Sequence, residues 1–160
     1  MADSLRIAFA QMKQRVGDLK ANAASILEVR RRAGDADLLL CPELQLIGYP
    51  PEDLVLNPEF VRRAHEQTDE LVAATAEPGP AVLFGTIVVE GNRTYNAMLL
   101  ASRGRVLGRT LKRELPNYGT FDEKRIFAPG PLPEPIEFKG VKLGVPICED
   151  IWAEIVCAHL

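Results

Sequence analysis

Short apolar runs, broken by turns, alternate with amphipathic stretches along this chain, and their order predicts an α/β fold. Residues 5–10 (LRIAFA) are apolar except for Arg6, which suits a strand buried on both faces. Gly17 and Asp18 open a helix over 18–33, with Asp18 as its cap. Leu19, Ala23, Ile26, Leu27 and Ala33 recur there mostly at three- and four-residue spacing, and Gly34 closes it. Residues 37–41 form a second buried strand stopped by Pro42. The segment 45–56 reads as a loop held extended by Pro50 and Pro51. Asn57-Pro58 starts a helix over 58–76 that ends before Pro78-Gly79-Pro80. Strands at 82–89, 95–101 and 106–111 follow, joined by the turns Gly91-Asn92 and Arg103-Gly104. Residues 116–135 are irregular, 136–138 and 141–147 form a last hairpin, and 151–160 reads as a helix. Strands alternate with helices early and pair as hairpins in the middle, so the sheet is mixed.

Composition narrows the function classes. The 160 residues carry 19 basic and 22 acidic side chains, a net charge of −3, so no strong basic field exists to gather nucleic acid or anionic lipid. No apolar run approaches the roughly 20 residues of a membrane span, and the amino terminus lacks a secretory signal pattern, which predicts a cytoplasmic protein. Three cysteines, Cys41, Cys148 and Cys157, make no disulfide framework. Cys157 and His159 alone are a poor metal pair. No phosphate-cradling glycine motif is present, so no cofactor is expected in this segment.

Three polar residues stand where apolar strands run out: Glu43 after 38–41, Lys112 after 106–111, and Cys148 after 141–147. Ligand sites of such sheets gather at strand ends. A cysteine at a strand-to-helix corner has free N–H groups nearby, and a lysine beside it would lower its thiol pKa further. A buried carboxylate would take the thiol proton and later activate water. The plainer readings stand beside these: a packed core thiol for Cys148, a loop carboxylate for Glu43, and a solvated basic face for Lys112 with Arg113. Cys41 and Cys157 read as core thiols, and His159 as a weak candidate base.

The strings CPELQLIGYPPEDL, LKRELPNYGTFDEKRIFAPG and GVPICEDIW add weight to the catalytic readings. They resemble the glutamine-hydrolysing domain of bacterial glutamine-dependent NAD synthetases, a branch of the nitrilase, or carbon–nitrogen hydrolase, superfamily. The resemblance runs from Ile7 to Trp152. It implies a Glu–Lys–Cys triad of Glu43, Lys112 and Cys148, the three residues that strand ends had singled out. It also implies that Glu123 holds Lys112 in place, and that Tyr49, Tyr118 and Glu149 recognise substrate, Glu149 through the α-ammonium of glutamine.

The same resemblance implies a larger parent. Further strands would complete an αββα sandwich after the helix that Ile151 begins, so residues 1–160 are expected to be a truncated amino-terminal portion of a glutaminase domain. A synthetase domain with an SGGxDS loop, where ATP and Mg²⁺ would act on deamido-NAD, lies outside these residues. The parent is expected to be a homo-oligomer that passes ammonia from glutamine to that domain. Without its neighbouring strand, the nucleophile strand is expected to expose an unpaired edge and to leave Val145 and Ile147 incompletely packed, so that the segment folds poorly alone. Two rival readings are a free-standing hydrolase of another amide or nitrile, and an inactive remnant acting as an interaction module.

Overall fold

A computed structural model describes residues 4–160. Five strands form one mixed sheet in chain order: β1 (Ile7–Phe9), β2 (Leu38–Leu40), β3 (Ala81–Glu90), β4 (Arg93–Ser102) and β5 (Arg105–Leu111). The pairs β1–β2 and β2–β3 are parallel, whereas β3–β4 and β4–β5 are antiparallel. The crossovers between the parallel strands carry α1 (Leu19–Arg32) and α2 (Pro58–Ala74). Both helices start where polar caps stand. Asp18 Oδ1 accepts from the Ala21 N–H, and Asn57 Oδ1 accepts from Glu59 and Phe60, with Pro58 at the first helical position.

Alternation along the strands sorts side chains into two cores. Val82 and Phe84 of β3 and Leu99 and Ala101 of β4 pack under Ile26 of α1 and Ala64 and Leu71 of α2. Leu83, Met98 and Leu100 face the other way, against a hairpin of β6 (Ile136–Phe138) and β7 (Val141–Leu143) and against Val145 and Ile147. Gly108 of β5 lets that hairpin close, since a Cβ there would meet Ile136 Cγ2 at 2.5 Å.

Several expectations need correction. β1 is an edge strand among the described residues, and only Ala8 packs toward the helices. Ile7 and Phe9 point to the opposite side, where the hairpin does not reach, and Phe9 is 75% exposed. The strand expected over 141–147 pairs only as Val141–Leu143. Pro146 has no N–H to give a ladder, and the Ile147 N–H goes to the Asp150 carboxylate instead. Val145 and Ile147 are nevertheless buried against the sheet rather than left unpacked. The helix expected over 151–160 is a 3₁₀ turn at Cys148–Trp152 followed by α4 (Glu154–His159). A short helix, α3 (Glu123–Ile126), stands within the region read as irregular, and a 3₁₀ turn at Glu52–Leu56 within the region read as loop. No helix among the described residues is long and apolar enough to cross a membrane.

Candidate active site

Glu43, Lys112 and Glu123 converge on the hairpin side of the sheet. Lys112 is the first residue beyond β5, and its side chain is fully buried. Its Nζ donates to Glu43 Oε1 at 2.6 Å and to Glu123 Oε1 at 2.9 Å. A lysine so deeply buried is stable only because carboxylates surround it. Burial by itself would lower its pKa, and the two carboxylates more than offset this, so the ammonium stays charged. Glu123 is held above the ordinary carboxylate range, chiefly by burial, with Lys112 pulling the other way.

Glu43 is placed by the backbone that follows β2. Gly85 of β3 makes room for that loop: a Cβ there would lie 2.0 Å from the Leu44 nitrogen and 2.7 Å from the Glu43 carbonyl carbon. The Leu46 N–H donates to the Gly85 carbonyl, and Gln14 clamps the loop from outside. Its Nε2 donates to the Glu43 carbonyl, while its Oε1 accepts from the Tyr49 N–H. Backbone atoms, not a flexible side chain, would have to move for Gly85→Ala. That variant is expected to lose about 100-fold or more in turnover, the scale of a roughly 1 Å misplacement of a reacting group. Steady-state kinetics beside a circular dichroism spectrum checks this; unchanged turnover would mean that the loop tolerates the shift.

Cys148 opens its 3₁₀ turn with φ at +50°, and Leu44, directly after Glu43, has φ at +47°. Left-handed backbone costs a non-glycine residue about 1–2 kcal/mol, and here it flanks both candidate reacting groups. Asp150 anchors the turn: its Oδ1 accepts from the Arg113 and Glu114 N–H groups at 3.1 and 2.7 Å, and its Oδ2 from Ile147 at 3.0 Å. One buried carboxylate thereby ties the chain just after Lys112 to the chain just before Cys148.

The Cys148 thiol departs from expectation. Its pKa is raised, first by partial burial and then by the negative charge of Glu43, and the opposing pull of Lys112 is smaller. A five-residue 3₁₀ turn and one lysine do not make a resting thiolate here. The surroundings thus favour the protonated thiol over the thiolate. Cys41 is buried and its thiol is pushed up to about 12. Cys157 faces the Ile151 carbonyl, and His159 pairs with Glu134, both away from these groups.

The remaining residues lie at the rim. The Tyr49 hydroxyl donates to Glu123 Oε1 at 2.9 Å, and Tyr118, largely exposed, donates to Glu149 Oε2 at 2.9 Å. The Phe121 ring stands between the two tyrosines, 6.5 Å from one and 5.6 Å from the other. Glu43 and Cys148 also line a cleft of 590 Å³ whose other walls, Gln11 apart, are apolar, among them Leu40, Leu83, Met98 and Val145. The arrangement offers a nucleophile, a proton acceptor, a fixed cation and a polar rim able to grip a small amine. Sequence reasoning missed Gln14, Gly85, Asn96 and Asp150. Only Asn96, a lone amide inside the apolar strand TYNAMLLAS, left a signal that pattern alone could have caught.

The carbon-nitrogen hydrolase family model matches residues 6–158. The glutamine-dependent NAD(+) synthetase of Rhodobacter capsulatus is 42% identical over 162 residues, covering 100% of this chain and 29% of that protein. The structure of glutamine-dependent NAD+ synthetase from Acinetobacter baumannii with ADP superposes with a TM-score of 0.87 at 36% identity, over 96% of this chain and 29% of that one. A mutant of the amidase from Nesterenkonia sp. AN1, bearing acrylamide added at its active-site cysteine, gives 0.79 at 28% identity, over 96% and 61%. The chain thus spans less than a third of the length of the synthetases it matches.

Proposed function

The chain belongs to the carbon-nitrogen hydrolase family, and from that premise we propose that it hydrolyses the side-chain amide of glutamine through a thioester on Cys148. The observation that carries this reading is the buried Glu43–Lys112–Glu123 cluster set against that thiol. Cys148 Sγ attacks the amide carbon while its proton passes to Glu43. An ammonium has three N–H groups; two of those on Lys112 are committed to Glu43 and Glu123, and the third serves the oxyanion together with the Glu149 backbone N–H. Glu43 returns the proton to the leaving nitrogen, so the C–N bond breaks, ammonia departs and the thioester remains. Water then loses a proton to Glu43 as it attacks, and that proton reaches the sulfur as glutamate is released. Glu149, with Tyr118, grips the α-ammonium of the substrate, and Tyr49 acts through Glu123.

The relatives support a further step in the reading. In a synthetase domain outside these residues, with ATP and Mg²⁺ bound there, the ammonia would amidate deamido-NAD to NAD, in a cytoplasmic homo-oligomer. The test is ammonia release from glutamine by the purified chain, with Cys148→Ala expected to release none. Likeness to the amidase favours one alternative, a small aliphatic amide as substrate. Turnover of propionamide without turnover of glutamine would replace the first reading by the second.

A further inference from the structure

We propose that Asn96 is the residue that positions Glu43 for its work as proton acceptor, a role that rests on the function proposed above. Asn96 lies in β4 and is fully buried. It shares a face with Met98 and Leu100, the side of the sheet away from α1 and α2. Its Nδ2 donates to Glu43 Oε1 at 2.6 Å. Its backbone carbonyl accepts the Lys112 N–H at 2.8 Å, extending the β4–β5 ladder one residue past β5. One residue thus sets two members of the cluster, the acid by its side chain and the lysine by its main chain.

The direction of the amide is decided by charge. Turned the other way, Oδ1 would face a carboxylate oxygen already bonded to Lys112, acceptor against acceptor. The Oδ1 atom is instead left buried without a hydrogen-bond partner. An orphaned buried acceptor is a standing cost, and folds keep few of them. Here the cost maintains a second donor on Oε1. Lys112 and Asn96 both hold Oε1, which leaves Oε2 free of these two donors to take the proton of Cys148.

The orphan also supplies the experiment. Leucine nearly matches asparagine in shape, so Asn96→Leu removes the donor to Glu43 and the unsatisfied Oδ1 together. An asparagine kept for stability would leave a less stable protein on replacement. A positioning asparagine leaves the melting temperature unchanged or higher while kcat falls. The expected fall is about 10- to 100-fold, the scale of one hydrogen bond to a charged group, with KM within about twofold because Asn96 does not touch substrate. Glutamine and propionamide are both assayed with the unmodified chain and the variant. If leucine prevents folding, Asn96→Ser, which is smaller and cannot span to Oε1, is read in the same way. A kcat within twofold of the unmodified chain overturns the positioning role and leaves the amide-hydrolase reading intact, as does a fall in kcat matched by loss of melting temperature. Loss of glutamine turnover alone in the unmodified chain, with propionamide still slowed by the variant, removes glutamine and keeps Asn96. Turnover of neither amide by the unmodified chain overturns both.

Discussion

Lys112→Met is expected to abolish amide hydrolysis and to loosen the fold at the same time. The methionine fills much of the volume but leaves Glu43 and Glu123, 17% and 3% exposed, facing each other with no cation between them. Removing one partner of a buried ion pair costs about 3–5 kcal/mol, because the other charge stays buried and unpaired. Loss of an oxyanion donor contributes about 100- to 1,000-fold in turnover by itself, and displacement of Glu43 adds to it. The pH dependence has a definite sign. Glu123 already lies above the ordinary carboxylate range through burial, and Lys112 is the main influence lowering it. Without Lys112 its folded pKa rises further, so the folded state binds more protons than the unfolded state, and stability falls as pH rises from the unfolded value toward the folded one. The variant should therefore melt higher at pH 5 than at pH 7.5. For Lys112 itself, whose folded pKa is raised, the stabilisation is fully present below its unfolded pKa and is lost as pH climbs through the folded one. Thermal melts of both proteins across that range, with ammonia release measured alongside, decide the matter. Retained turnover in the variant would remove Lys112 from the chemistry.

Glu43→Gln is expected to separate two properties of Cys148 that are easily confused. The amide keeps an oxygen for Lys112 but takes no proton, so turnover should drop by about 100- to 10,000-fold, the usual contribution of a general acid–base group. The thiol should nevertheless become easier to ionise. Its pKa is raised by burial first and by the Glu43 charge second, while Lys112 acts to lower it. Neutralising Glu43 removes one raising influence and leaves the lowering one. Iodoacetamide alkylation of the Cys148 peptide, followed against pH by mass spectrometry, should show its inflection at lower pH in the variant than in the unmodified chain. A more reactive sulfur in a dead enzyme would locate the function in proton transfer rather than in a standing thiolate. An inflection moved upward would contradict the electrostatic account of the site.

The central strands and the two long helices were legible because each is a local statement. An apolar run marks β2, largely apolar stretches parted by the turns Gly91-Asn92 and Arg103-Gly104 mark β3 to β5, and Asp18 and Asn57-Pro58 mark the helix starts. Glu43, Lys112 and Cys148 could be picked at strand ends for the same reason, and the family strings joined them. Other features depend on contacts distant in sequence. Phe9 reads as core until the hairpin is seen to stop short of it. Residues 144–147 read as a strand until Asp150 takes the Ile147 N–H. Asp150 looks like any turn carboxylate, yet two of its three bonds go to residues 36 and 37 positions away. The raised thiol pKa was illegible because it depends first on how far the sulfur is buried and then on how near Glu43 comes, which in turn depends on Gly85 in another strand.

The cluster around Lys112 constrains what can react there and what must leave. With both carboxylates ionised, one cation stands against two anions, a total of −1 with the thiol neutral. Passing the thiol proton to Glu43 relocates that negative charge onto sulfur and then onto the oxyanion without altering the total. A poorly hydrated interior resists changes in total charge far more than rearrangements within it, so the acylation half of the cycle avoids the largest penalty available to it. A neutral amide enters without disturbing this balance. Its product does not: once water has added and the new carboxyl group has given its remaining proton to solvent, a γ-carboxylate stands beside a regenerated Glu43 and the total becomes −2. On the function proposed above, the reaction ends by converting a tolerated guest into a repelled one, and the same two acids that hold the lysine oppose retention of the glutamate formed.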